Sequence, residues 1–208
     1  THIYEQNNGV AYAIDHVIQA PQRSVLDVLE DNSQFSEFLK LCNWHIDTDD
    51  EEVFDPDDLM GFASDRMLEK NEVSQKKRLE AYRTFVAKGG LTDNVNYFNS
   101  YNYTIYAPDN DAMKKAYDQG LPTWNDLKAI YDKYSEAYER EKATNSISEE
   151  VQAATNKVLA MVEEINAFIR YHFQDNSIYA DNVIDAGTYP TACSDTLGIR
   201  EKLVISGG

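Results

Sequence analysis

Pro108 is the strongest constraint on what this chain can fold into, because it separates a stretch with strand periodicity from one with helix periodicity. Upstream, Tyr101, Tyr103 and Ile105 alternate with Asn102, Thr104 and Tyr106, a period of two in types that suit a pleated surface. Pro108 has no backbone N–H and ends the ladder. Behind it, Asp109 or Asn110 is placed to accept from the first free N–H groups of a helix carrying Ala112, Met113, Ala116 and Tyr117. Thr104 to Met113 therefore predicts a strand, a corner and a capped helix in succession, with Ile105 and Ala107 buried. Asp109 and Asp111 lie at the helix start, where carboxylates cap the helix and complement its dipole. A glycosidase acid and base would instead flank a substrate from opposite sides.

That corner, with Thr104, Ala107, Pro108, Asp109 and Asn110 as its motif residues, resembles the first signature box of the fasciclin-like domain family. Two further segments are similar to the same family. Ile169 to Asn182 resembles its Tyr-His segment, an apolar helix ending in Tyr171-His172 and passing into a strand with Ile178 and Tyr179. Asn7 to Pro21 resembles the family's closing strand, and Ser24 to Trp44 its opening helices. The resemblance implies an α+β fold, a twisted β-wedge or sandwich with packed helices. It also implies a non-enzymatic extracellular adhesion module of bacterial surface type.

In the family the closing strand comes last, so residues 1–21 are expected to end a preceding fasciclin-like domain of the same polypeptide. Residues 22–208 are then a second domain, C-terminally incomplete, with helical insertions near 53–100 and 122–148. The first strand is expected to pair with sequence upstream of Thr1; a neighbouring molecule or the vacant closing slot of the second domain are the alternatives.

A formal net charge of −17 leaves no clustered basic face to neutralise phosphates and argues against nucleic acid and anionic membranes. No apolar run is long enough to span a bilayer, so no transmembrane segment is expected. Cys42 and Cys193 allow one internal bridge at most; buried thiols are the first reading and a disulfide the second.

Ser24 and Asp27 form a capping-box pattern, and Asp31, Asn32 and Ser33 break that helix and start the next. Leu26, Leu29, Phe35, Phe38, Leu39 and Cys42 are expected core. The run Asp47 to Asp58 is acidic but lacks the turn glycine and closing Glu of a calcium loop, so it reads as solvated and no metal is expected. Leu79, Tyr82, Phe85 and Val86 fall on one helical face that Gly89-Gly90 would end. Thr123 and Asp126 can cap a helix bearing Trp124, Leu127, Ile130, Tyr131, Tyr134 and Tyr138. After a break at Thr144 to Ser146 a second helix runs through Val151, Val158, Val162, Ile165 and Ile169. The two should form a hairpin.

No phosphate loop, nucleophile elbow, zinc-type His pair or Cys-x-x-Cys occurs, and no cofactor is expected. Candidate binding residues are Tyr171 and His172, from the resemblance, and Tyr131, Tyr134 and Tyr138, whose rings can stack on glycans or pack on a partner helix. His172, at the end of an apolar helix, reads first as a packed ring with one nitrogen tied to backbone and second as a ligand contact. The expected function is a binding module for protein or polysaccharide, acting on the surface of the two insertions, each removable without loss of the core. An accessory glycan-capture lipoprotein of an outer-membrane transporter assembly is a more specific variant, and a carbohydrate-active enzyme is the rival class.

Overall fold

The computed structural model describes residues 2–6, 9–13, 24–42, 62, 84–87, 94–95, 103–175 and 186–206. Its first element is a hairpin of β1 (His2–Gln6) and β2 (Gly9–Ala13), antiparallel, with Gln6 opposite Gly9 so that Asn7 and Asn8 are the connection in sequence. The described part of the strand expected over Asn7–Pro21 is β2, and it has β1 of this chain as a partner, where sequence upstream of Thr1 was expected. Turn-forming Asn residues between two five-residue runs make the local hairpin the shortest closure open to both strands. The hairpin is a sheet of its own, separate from the one that contains Tyr103.

Helix α1 (Val25–Glu30) starts on the expected capping box. The Ser24 hydroxyl accepts from the Asp27 N–H at 3.1 Å, and the Asp27 carboxylate accepts from the Ser24 N–H at 2.9 Å. Asn32 caps a 3₁₀ turn (Ser33–Phe35) that runs into α2 (Ser36–Cys42). Leu26, Leu29, Phe38 and Cys42 are buried as expected, together with Leu41; Phe35 and Leu39 are half-buried against them. The acidic run at 47–58 lies outside the described residues.

Strands β3 (Phe85–Ala87) and β4 (Asn94–Val95) pair antiparallel with an irregular register. Phe85 and Val86 thus belong to a strand, correcting the helix expected there. An aromatic and a β-branched residue in succession suit the pleat better than a helix, and Gly89-Gly90 falls in sequence between two paired strands. Leu79 and Tyr82 lie outside the described residues.

After β5 (Tyr103–Ile105) come α3 (Asn110–Asp118), α4 (Trp124–Ala143) and α5 (Glu149–Tyr171). Thr123 and Asp126 form the expected capping box of α4, and α4 packs on α5 as a hairpin. The α5 residues Val151, Ala154, Thr155, Val158, Val162, Ile165 and Ile169 recur at helical spacing and are all buried. Strand β6 (Phe173–Asp175) follows α5 directly, and β7 (Gly187–Ser194) and β8 (Arg200–Ile205) complete an antiparallel sheet in the order β5-β6-β7-β8. Ile178 and Tyr179, expected in the strand after the Tyr-His pair, lie outside the described residues. Between Pro190 and Ser194 the β7 register slips, and the buried Thr191 hydroxyl donates to the Glu201 carbonyl at 2.9 Å across the irregularity. The fold is α+β, with α5 packed on α2, α4 and β7 at the centre of one apolar cluster that runs from Leu26 to Ala192.

Phe62 and Thr84 are part of that interior, 2 % and 0 % exposed. The segment expected as a first insertion thus contributes core, as does the second through Leu127 and Tyr138. These four side chains are interior, where a surface role was expected of both segments. Neither cysteine is bridged: Cys42 is buried and Cys193 half-buried.

Candidate functional site

The corner at Pro108 holds two helices. Asp109 caps its own helix α3, its carboxylate accepting from the Ala112 N–H at 2.8 Å. Asn110 reaches across to α2. Its Oδ1 accepts from the Glu37 N–H at 3.1 Å, while its Nδ2 donates to the Ser33 carbonyl at 3.0 Å and to Ser36 Oγ at 3.2 Å. An N-terminal helix N–H without an intrahelical partner is thereby satisfied from 73 residues away. Thr104, Ile105, Ala107 and Pro108 are half-buried, so Ile105 and Ala107 are less enclosed than expected; β5 is the end strand of its sheet.

The second motif segment lies beside the first. Ile105 stands opposite Phe173 and Thr104 opposite Gln174, and the Tyr106 N–H continues the ladder by donating to the His172 carbonyl at 2.9 Å. The Tyr106 hydroxyl donates to Oε1 of the fully buried Gln174 at 2.6 Å. Burial, and then the neighbouring Tyr189, hold the Tyr106 phenol above its ordinary pKa. Asp175 accepts from Arg200 at 2.7 Å, tying β6 to the start of β8.

His172 caps the C-terminus of α5. Its Nδ1 is 2.8 Å from the Phe168 carbonyl, a bond in which the ring donates, and its imidazole lies 4.5 Å from the Phe168 ring and 5.5 Å from that of Phe38. Burial lowers its pKa and outweighs the bond to Phe168, which acts the other way. This is a packed ring with one nitrogen tied to backbone. Tyr171 beside it is 39 % exposed and offers more surface to solvent.

The α4 tyrosines divide in the same way. Tyr138 is 2 % exposed, and Phe62 meets it edge-on at 5.2 Å and meets Tyr131 edge-on at 5.5 Å. Tyr134 is half-buried; its hydroxyl donates to Glu150 at 3.0 Å and Lys133 lies over its ring. As placed, only Tyr131 and Tyr134 keep part of a side chain open. Glu150, beside Tyr134, and Tyr171 are at opposite ends of α5, roughly 30 Å apart along its axis, so the two tyrosine groups do not converge on one site.

A cleft of about 410 Å³ opens between the end of α3 and the flanks of α4 and α5. Tyr117, Leu121, Ile130 and Met161 supply its apolar lining, and Asp126 and Lys157 its charged groups. Its shape is set by a glycine. Gly120 has φ +108°, and with it the Gly120 N–H donates to the Tyr117 carbonyl and the Leu121 N–H to the Ala116 carbonyl, which closes α3 and directs the chain to Pro122. Thr123 fixes the Asp126 carboxylate through its N–H and hydroxyl, at 2.8 and 2.6 Å, and these bonds, with Lys157 contributing, hold its pKa below the ordinary value. The sequence singled out Asp126 as a cap and missed the cleft. The glycine two residues after a helix was the available signal, while Lys157 and Met161 join it only through the α4–α5 packing.

Among the described residues no group of three His, Cys, Asp or Glu side chains could hold a metal ion, and no helix is long and apolar enough to cross a membrane. No known family model matches the chain, and no curated protein or solved structure is significantly similar to it.

Proposed function

We propose that the chain is a non-catalytic binding module with a fasciclin-like arrangement, acting outside the cell on protein or polysaccharide as part of a bacterial surface protein. The observation that carries this reading is the side-by-side placement of its two motif segments. The strand before Pro108 and the segment after the Tyr-His pair form one ladder, extended by the Tyr106 to His172 bond. Asp109, Asp126 and His172 each make a hydrogen bond that holds a helix end, a structural role in place of acid or base chemistry.

The test is affinity electrophoresis of the full chain through gels of soluble polysaccharides, with a parallel assay for new reducing ends. Retardation without reducing ends is the expected result. Release of reducing ends would establish the rival, a carbohydrate-active enzyme, and overturn the proposal. An outer-membrane glycan-capture lipoprotein is the narrower form of the same reading, with a transporter assembly as its partner.

A further inference from the structure

We infer that the cleft between α3, α4 and α5 is a subsite for a neutral sugar ring; this rests on the binding-module reading and gives it a place and a ligand class. Three properties of the cleft lead there. It is open and its volume, about 410 Å³, is of small-ligand size, so an occupant keeps one side in water. Its charged groups are one carboxylate and one ammonium, which balance each other. With a formal net charge of −17 on the chain, an anionic ligand would be repelled. A ligand with neither net charge nor a wholly apolar surface fits best.

A pyranose has that character, with hydroxyls around its rim and C–H groups on its faces. The Asp126 carboxylate is held rigidly by Thr123, so it is a preorganised acceptor for a hydroxyl. Lys157 on the facing helix supplies a donor. Ile130, Met161 and Leu121 offer apolar surface for the C–H face of a ring, and Tyr117 adds an aromatic wall. The Tyr117 phenol, raised to about 12 by burial and then by Glu37 and Cys42, stays protonated across the physiological range. A carboxylate and an ammonium lining the cleft beside apolar side chains favour a sugar over a hydrocarbon, because the latter offers neither group a hydrogen bond.

The experiment titrates the full chain with neutral gluco-, manno-, xylo- and galacto-oligosaccharides by calorimetry and by ¹H–¹³C methyl spectra. Two variants alter the cleft and leave the core alone: Ala129→Arg, on an exposed cleft-lining position, and Lys157→Ala, also exposed. Saturable binding of at least one oligosaccharide is expected, with the Met161 methyl shifting and affinity falling tenfold or more in Ala129→Arg and several-fold in Lys157→Ala. Binding that both variants leave unchanged would overturn the subsite and spare the binding-module reading. Absence of saturable binding by all four oligosaccharides would do the same, whereas hydrolysis of one would overturn that reading itself.

Discussion

Replacing Asn110 tests whether one amide holds α2 to α3. Asn110→Ala removes the acceptor for the Glu37 N–H and the donor to the Ser33 carbonyl. The first loss is that of an N-terminal helix cap, about 1 kcal/mol, and the second is an ordinary hydrogen bond of about the same worth, so destabilisation by roughly 2 kcal/mol is expected. Asn110→Asp is the more discriminating change. By general rules aspartate should be welcome in the first turn of α3 and as an acceptor for α2. At this position it keeps the bond from Glu37 but points an oxygen at the Ser33 carbonyl, 3.0 Å away, where the amide had a donor. At pH 7 it should therefore cost at least as much as alanine. Near pH 3, once protonated, its hydroxyl can donate to Ser33, and Asn110→Asp should become more stable than Asn110→Ala. Urea denaturation of the three proteins at both pH values, read as midpoints at constant slope, measures this. An Asn110→Asp protein as stable as the parent at pH 7 would refute the account.

Phe62→Ala should lose about 3–5 kcal/mol, since a ring 2 % exposed leaves a cavity beside Tyr131 and Tyr138; a loss of unfolding free energy below about 1 kcal/mol would place Phe62 outside the core. The folded-state pKa of His172 lies below its unfolded value, so its contribution is present above about pH 6.5 and is lost as pH falls through the folded pKa. Melting temperatures from pH 7.5 to 5 should accordingly fall less steeply in His172→Phe than in the parent. Burial pushes the Cys42 thiol far up, against a smaller opposing effect of its bond from Thr84. A thiol reagent should label Cys193 in the native protein and reach Cys42 only on unfolding, and reductant should leave the melting temperature unchanged because neither is bridged.

Local signals were readable in the sequence where a backbone group is satisfied by a neighbour in the chain. Ser24 with Asp27, Thr123 with Asp126 and Asp109 with Ala112 lie three residues apart, and each was legible as a cap. The apolar spacing of α5 was legible for a similar reason, because helical geometry repeats it. Contacts made across the fold left no such trace. Asn110 was readable as a cap, but nothing near it in sequence indicated that the helix it serves is α2. Phe62 and Thr84 sit in stretches of mixed composition, and their burial depends on α4 and α2. The tyrosines of α4 show both limits. Their spacing placed them on one face, yet whether that face meets solvent or protein is decided by Phe62, 69 residues before Tyr131.

The central place of α5 sets the order in which a growing chain can become stable. Helices α1 and α2 are synthesised first, but α2 packs on α5, which begins at Glu149, and the Leu41 carbonyl waits for the Trp124 indole that donates to it at 2.9 Å. At about 5–20 residues per second, the hundred or so residues between Cys42 and Glu149 take a ribosome roughly 5–20 s to produce. For that interval Leu26, Leu29, Phe38 and Leu41 lack the α5 face, one of the surfaces that later cover them. Nascent chains stalled before residue 149 should be held by chaperones or lost to aggregation, and those extended past Ile205 should resist protease.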